Sequence, residues 1–197
     1  MVPAAMPGFF ILSSSYLCAM EISELYEIYK DYPSIQTDTR KIKKDDVFFA
    51  LKGANFNGNE FAQKAIEEGA SYAIIDEKKF DIPGKTILVD DALIALQQLA
   101  NHHRKQFTIP FIAITGSNGK TTTKELIHAV LSTTYSTYTT EGNFNNHIGI
   151  PLTLLKIKGD AEMAVIEMGA NHIGEIASYC DIVLPSHGEQ QTKTINR

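Results

Sequence analysis

Cysteine is nearly absent from this chain: Cys18 and Cys180 are the only two in 197 residues, and they stand too far apart to form a metal-type pair. That excludes a disulfide framework and points to a reducing compartment, the cytoplasm. An excess of positive charge is also missing, because 18 Lys and Arg face 23 Asp and Glu for a net charge of −5. The densest basic cluster, Arg40-Lys41-Ile42-Lys43-Lys44, runs straight into Asp45 and Asp46. No polycationic stripe is left for a nucleic-acid backbone, so nucleic acid is excluded as a partner. Long hydrophobic runs are lacking too. The opening stretch "MVPAAMPGFFILSSSYLCAM" has a short apolar core, Phe9 to Leu12, with no Lys or Arg ahead of it. It is too short to span a bilayer and makes a poor secretory signal, and the bulky Leu17 argues against a lipoprotein site at Cys18. The amphipathic pattern begins directly after Met20, so residues 1–19 read as an extension with little structure ahead of a translation start at Met20. Internal repeats and low-complexity segments are absent.

What is present is an ordinary core-forming composition, 44% hydrophobic, arranged in alternating strand and helix patterns. Ile22, Leu25, Tyr26 and Tyr29 recur at helical spacing before Pro33; "DVFFAL" is a strand; "GNEFAQKAIEEGA" is a helix stopped by Gly69; "SYAIID" and "TILVD" are strands; "DALIALQQLANHHRKQF" is a helix. His102 and His103 read as the polar end of that last helix. Residues 20–105 therefore form a small α/β domain. A second unit, residues 106–188, offers "FIAIT", "AEMAVIEMG" and "DIVLP" as apolar strands separated by the helices "TTKELIHAVLSTT" and "GEIASYC". Strands without polar alternation, separated by helices, predict a parallel sheet buried on both faces.

"FIAITGSNGKTTTKEL", residues 111–126, admits two readings. Asn118-Gly119 is a strong hairpin signal, which requires period-two alternation after Lys120. Leu126, Ala129 and Val130 fall instead at helical spacing, with Ile127 and Leu131 widening the stripe, so the segment is a strand, a glycine-rich loop and a helix. Such a loop presents free N–H groups and a helix dipole to an anion. Gly116, Ser117, Asn118, Gly119, Lys120, Thr121 and Thr122 thus form a candidate phosphate cradle, with Lys120 supplying a point charge and Thr121 a hydroxyl for a phosphate-bound Mg²⁺. The spacing departs from the standard P-loop, since Ile114 stands where the first glycine belongs. Glu167, delivered at the end of an apolar strand, supplies the carboxylate that Mg²⁺ needs. Between the two, "TTEGNFNNHIGIPLTLL" reads as a polar loop at the sheet edge, with Asn143, Asn145 and Asn146 as turn formers or substrate contacts. His147 and His172 read as exposed loop histidines or as candidate bases.

"TGSNGKTT", "GNFNNHIGIPLTLL" and "VIEMGANHIGEI", in this order, resemble the ATP-dependent Mur ligases of bacterial peptidoglycan synthesis. "TDTRKIKKDDVFFALKGANFNGNEFA" resembles the UDP-binding region of the same family. The resemblance implies a UDP-binding α/β domain followed by a P-loop parallel-sheet ATPase domain. It also implies ATP and Mg²⁺ as cofactors, UDP-N-acetylmuramoyl-peptide and D-alanyl-D-alanine as substrates, and amide formation through an acyl phosphate. By the same resemblance Lys120 and Glu167 are catalytic, Lys120 and the loop glycines hold the ATP phosphates, and Thr121 with Glu167 holds Mg²⁺. Asn143 and Asn146 line the substrate side, and Asp38, Thr39, Arg40, Lys52 and Gly53 face the UDP moiety.

The likeness stops at Gly188. The tail "EQQTKTINR", residues 189–197, has a single aliphatic side chain and is not expected to form the family's next strand. A frameshift or truncation of the ATPase domain is the expected reason, leaving a partial and inactive copy with uncovered sheet edges and a bare helix face. A non-catalytic UDP-sugar-peptide or nucleotide-binding fragment is the alternative of another class. Folylpolyglutamate synthetases share the short glycine loop, but Thr121-Thr122 and the 20–105 unit point away from them.

Overall fold

The computed structural model describes residues 20–191; the 1–19 extension with Cys18, and the residues after Gln191, lie outside the described residues. The chain begins with helix α1 (Ile22–Asp31), followed by strands β1 (Ile35–Gln36) and β2 (Val47–Phe49) and a small antiparallel pair, β3 (Lys52–Gly53) with β4 (Phe56–Asn57). Helix α2 (Ala62–Glu67), strands β5 (Tyr72–Ile75) and β6 (Thr86–Leu88) and helix α3 (Ala92–Arg104) follow. Then come β7 (Phe111–Gly116), α4 (Lys120–Leu131), β8 (Thr137–Thr139), α5 (Gly149–Leu154), β9 (Met163–Glu167), α6 (Glu175–Val183) and β10 (His187–Gln191).

The strands assemble into two four-stranded sheets ordered β1-β2-β5-β6 and β10-β7-β9-β8. Every pairing in both is parallel. The apolar runs demand this arrangement, because a strand buried on both faces has no polar side to turn outward. Val47, Phe48 and Phe49 are all buried in β2, as are Ala164, Val165, Ile166 and Glu167 in β9.

Helix α3 joins the two sheets. Its start is capped by Asp91, whose side chain accepts from the Ile94 N–H at 2.8 Å, and Leu96, Leu99 and Ala100 are fully buried along it. It packs against α1, α5 and α6, so one core runs from Phe49 and Ile74 of the first sheet to Phe111 and Ala164 of the second. Buried polar groups reinforce the joint. The Tyr29 hydroxyl donates to the Leu155 carbonyl at 2.6 Å. Arg104 donates to the carbonyls of Val183 (2.7 Å), Leu184 (2.8 Å) and Phe107 (2.8 Å), with its guanidinium 3.6 Å from the Phe111 ring centre.

Several expectations need correction. His103 is buried rather than solvated, lying 3.1 Å from the Tyr26 hydroxyl and 2.8 Å from the Ile157 carbonyl; burial pushes its pKa down. "DIVLP" is not a strand: Asp181 to Val183 finish α6, and Leu184 turns left-handed (φ 46°) under the Arg104 guanidinium. The next strand is β10, which includes Glu189, Gln190 and Gln191, polar residues that were not expected to form one. It pairs with β7 in the register Glu189 to Ile114. An edge strand is held by its main chain, so polar residues can form one. The "GNFNNHIGIPLTLL" segment contains α5 as well as a loop, and β8 is an additional strand at the far edge. In α4 the helix is where its period placed it, but Leu126 and Val130 are 63% and 70% exposed while Lys124 is buried.

Candidate functional site

The glycine loop is built by β7 running parallel beside β9 and ending at Gly116, which hands the chain to α4. Gly119 precedes the helix with φ 76°, a left-handed conformation that glycine adopts without strain, and this aims the first N–H groups of α4 at open space. Ser117, Asn118, Gly119, Lys120, Thr121 and Thr122 border a pocket of about 360 Å³, closed on its other side by Asn145 and Glu167. The Lys120 ammonium donates to the Gly116 carbonyl at 2.7 Å, folding the side chain back over the loop. Gly116 therefore contributes its carbonyl rather than a face of the pocket.

Glu167 is 1% exposed. Its backbone N–H donates to the Thr140 hydroxyl at 2.9 Å, and Thr140 is itself braced by the buried Lys124, which donates to the Thr140 carbonyl at 2.7 Å. The Glu167 Oε1 atom accepts from Asn145 Nδ2 at 2.8 Å and from the Thr121 hydroxyl at 3.2 Å, while Oε2 is buried with no hydrogen-bond partner among the described residues. A desolvated carboxylate oxygen left open costs free energy and calls for a donor or a cation. The donor set, one carboxylate and one hydroxyl beside a phosphate-sized space, fits Mg²⁺, which takes few protein ligands and keeps phosphate oxygens and waters. Among the described residues no cluster of three or more His, Cys, Asp or Glu could hold a metal on its own.

Of the three loop asparagines, Asn145 is the one that borders this pocket; Asn143 and Asn146, expected on the substrate side, do not border it. Asn146 is exposed, and its Oδ1 accepts from the N–H groups of Ile148 (3.1 Å) and Gly149 (2.8 Å) at the start of α5. Asn143 is exposed, and its carbonyl accepts from the Asn145 N–H at 2.8 Å. His147 is exposed, with its carbonyl taken by Gln97 at 3.0 Å, and His172 lies beside Glu175 at 3.0 Å. That histidine and two backbone N–H groups pull the Glu175 carboxyl down to about 2.

A second cleft, about 470 Å³, lies on the first sheet's side and is bordered by Asp38, Thr39, Arg40, Phe56, Phe61 and Lys64 among others. Arg40 grips Asp38 with two side-chain hydrogen bonds (2.9 and 2.7 Å) and a backbone one (3.1 Å), holding the Asp38 carboxyl at about 2. Lys52 and Gly53 are not on its wall. The Lys52 ammonium is engaged by Asp76 at 2.9 Å and Glu77 at 3.3 Å. Against the upward pull of burial, Lys52 and Asn59 hold Asp76 below the usual carboxylate range. Phe56 is 58% exposed, and Phe61, whose spacing with Ala65 and Ile66 places it on one apolar helical face, is 41% exposed because it ends a tight turn ahead of α2. The available signal for Phe56, unnoticed in the sequence, was an aromatic in the Gly/Asn-rich "GANFNGNEF". A third cleft, about 530 Å³, shares Thr37 and Asp38 with this one and extends to Glu141, Phe144 and Lys156 on the second sheet's side.

A glycine turn between a parallel strand and a helix, with a buried carboxylate on the adjacent strand, is the build of nucleotide-binding α/β proteins. The Mur ligase family (catalytic domain) matches residues 31–104, and the Mur ligase middle domain matches residues 114–188. The chain belongs to the Mur ligase family. It is 48% identical over 144 residues to the UDP-N-acetylmuramoyl-tripeptide–D-alanyl-D-alanine ligase of Bacillus subtilis, a match covering 72% of this chain and 32% of that enzyme. Among solved structures it is similar to MurF from Acinetobacter baumannii (TM-score 0.74, 38% identity, 80% of this chain, 35% of the other). It is also similar to MurF ligase from Thermotoga maritima in complex with ADP (TM-score 0.70, 33% identity, 77% and 35%). The chain thus spans about a third of the length of the curated relatives it matches.

Proposed function

We propose that this chain carries the nucleotide and UDP-substrate halves of an ATP-dependent amide ligase that joins D-alanyl-D-alanine to UDP-N-acetylmuramoyl-tripeptide in the cytoplasm. In this reading residues 106–188 bind ATP and residues 20–105 bind the UDP moiety. The single observation that carries it is the buried Glu167 with one oxygen closed and Oε2 open beside a glycine-rich, lysine-bearing loop. Similarity to the ligases named above, one of them solved with ADP, supports both the nucleotide and the reaction.

The chemistry follows from charge. A carboxylate of the substrate and the γ-phosphate are both anionic, and they react only where their repulsion is offset. Lys120 swings from the Gly116 carbonyl to the phosphates, and the N–H groups of residues 117–122 receive their oxygens. Thr121 and Glu167 would hold a Mg²⁺ ion, which when bound would neutralise phosphate charge. The carboxylate then attacks the γ-phosphorus, ADP leaves, and the acyl phosphate is open to the dipeptide amine with release of phosphate. On the first sheet's side Asp38, Thr39 and Arg40 border a cleft wide enough for a nucleoside, with Phe56 and Phe61 as ring-sized apolar walls.

Calorimetric titration of the chain with ADP and Mg²⁺ tests the nucleotide half. Saturable binding that Lys120→Ala weakens by at least about tenfold is expected, as for loss of a charge-assisted phosphate contact. No binding at millimolar ADP overturns it. Titration with UDP-N-acetylmuramoyl-tripeptide tests the other half, with Arg40→Ala as the sensitive variant. An ATP-dependent product from the chain alone, with D-alanyl-D-alanine supplied, would separate a working ligase from a binding fragment.

A further inference from the structure

We infer that Asn145 is a positioning residue of the cation site: it closes Oε1 of Glu167, fixes the plane of the carboxylate and so reserves Oε2 for the metal. The inference rests on the nucleotide-site reading given above and adds to it a residue that the glycine loop and the carboxylate do not by themselves require.

Two donors reach Oε1, and they are not equivalent. The Thr121 hydroxyl does so at 3.2 Å and is also the group that turns toward a phosphate-bound cation, so its hydrogen bond is the one given up on loading. Asn145 Nδ2, at 2.8 Å, has no such second duty. A carboxylate accepts only, so the amide nitrogen must face it, and this fixes which way the Asn145 amide points. Without that donor, Oε1 would keep only the Thr121 hydroxyl, and once that turned to the cation the carboxylate would have a free terminal torsion and lose its geometry toward a cation with strict octahedral demands.

Asn145 is itself anchored to the strand end it serves. Its carbonyl accepts from the Gly169 N–H at 2.7 Å, and its N–H is held by the Asn143 carbonyl at 2.8 Å. Its side chain lies directly on Gly169, where an added Cβ would stand 3.0 Å from the Asn145 amide carbon. Glu167 and Gly169 therefore grip Asn145 at the side chain and at the backbone, and the amide moves with the carboxylate rather than with the loop. Glycine at 169 is what lets the amide lie flat against the chain. The neighbouring Phe144 borders the cleft that begins at Asp38, so the residue that orients the metal ligand also adjoins the substrate side.

The test reads metal dependence, not turnover. ADP binding to the full chain is followed calorimetrically while Mg²⁺ is varied, and again with the metal removed by chelation. Asn145→Ala is expected to raise the Mg²⁺ concentration at half-saturation by about 10- to 100-fold, as for other outer-shell partners, and to leave metal-free ADP affinity within about twofold. Gly169→Ala keeps the amide but crowds it, and a shift in the same direction by a smaller factor is expected. If Asn145→Ala does not fold, the Gly169→Ala shift decides the matter alone. Equal losses with and without Mg²⁺ would mean a merely structural role, and an unchanged half-saturation would mean none; either result overturns the inference while leaving the nucleotide site standing. Wild-type ADP binding that ignores Mg²⁺ overturns the cation reading and the inference together.

Discussion

At the scale of single residues, the site is a balance between a buried charge and the groups around it. Glu167→Gln keeps the volume and the Asn145 contact while removing an uncompensated buried charge. The ligand-free variant is expected to melt no lower than wild type, by up to about 1 kcal/mol more stable, and to lose the Mg²⁺ effect on ADP binding. Differential scanning fluorimetry with and without Mg²⁺-ADP reads both. His103 gives a pH signature. Burial lowers its pKa in the folded chain, so the unfolded chain binds the proton first as pH falls below the ordinary histidine value of about 6.5, and stability is lost from there downward. Melting at pH 7.5 and 5.5 should show a larger drop for wild type than for His103→Gln; equal drops would remove His103 from the account. Thr121 and Glu167 were legible because a strand end and a helix start leave little freedom over where a side chain points. Asn145 was not. Three asparagines in one turn look alike as letters, and only the backbone path decides that Asn146 caps α5 while Asn145 meets the carboxylate.

Among elements, the informative case is α4. Its apolar residues at helical spacing identified a helix correctly, but Leu126 and Val130 of that stripe are not buried. The buried position is Lys124 instead, whose ammonium stops at the Thr140 carbonyl, while Leu126 and Val130 look outward. Periodicity reports a stripe, not what lies against it. Leu126→Glu should accordingly change the unfolding free energy by no more than about 0.5 kcal/mol, the range of exposed substitutions. Lys124→Ala, which opens a cavity and strips a buried carbonyl of its donor, should cost about 2–4 kcal/mol. Urea titrations compare the two directly. The end of α6 teaches a similar lesson. "DIVLP" has the composition of a strand, yet Arg104, distant in sequence, captures the carbonyls of Val183 and Leu184 and fixes a helix end there. A long-range hydrogen bond of this kind leaves no local trace. Arg104→Met is expected to cost about 2–4 kcal/mol in the same titrations, because a buried charged donor serves three carbonyls.

For the molecule as a whole, the alternation of apolar runs and helical patterns was enough to foretell two α/β units with parallel sheets. What it could not supply is their joint, which depends on side chains from α1 and α3 meeting α5 and α6. Because one core crosses from the first sheet to the second, thermal unfolding is expected to be a single cooperative transition, with calorimetric and van't Hoff enthalpies in agreement. Two resolved transitions would show that the joint is too weak to couple the sheets. The buried span of α3 has a metric consequence. In the function proposed above, it sets the separation between the Asp38–Arg40 cleft and the glycine loop as a rigid strut sets the jaws of a caliper. A molecule that is to touch both must then match a length fixed by the scaffold, so selection falls first on reach and only afterwards on chemical detail.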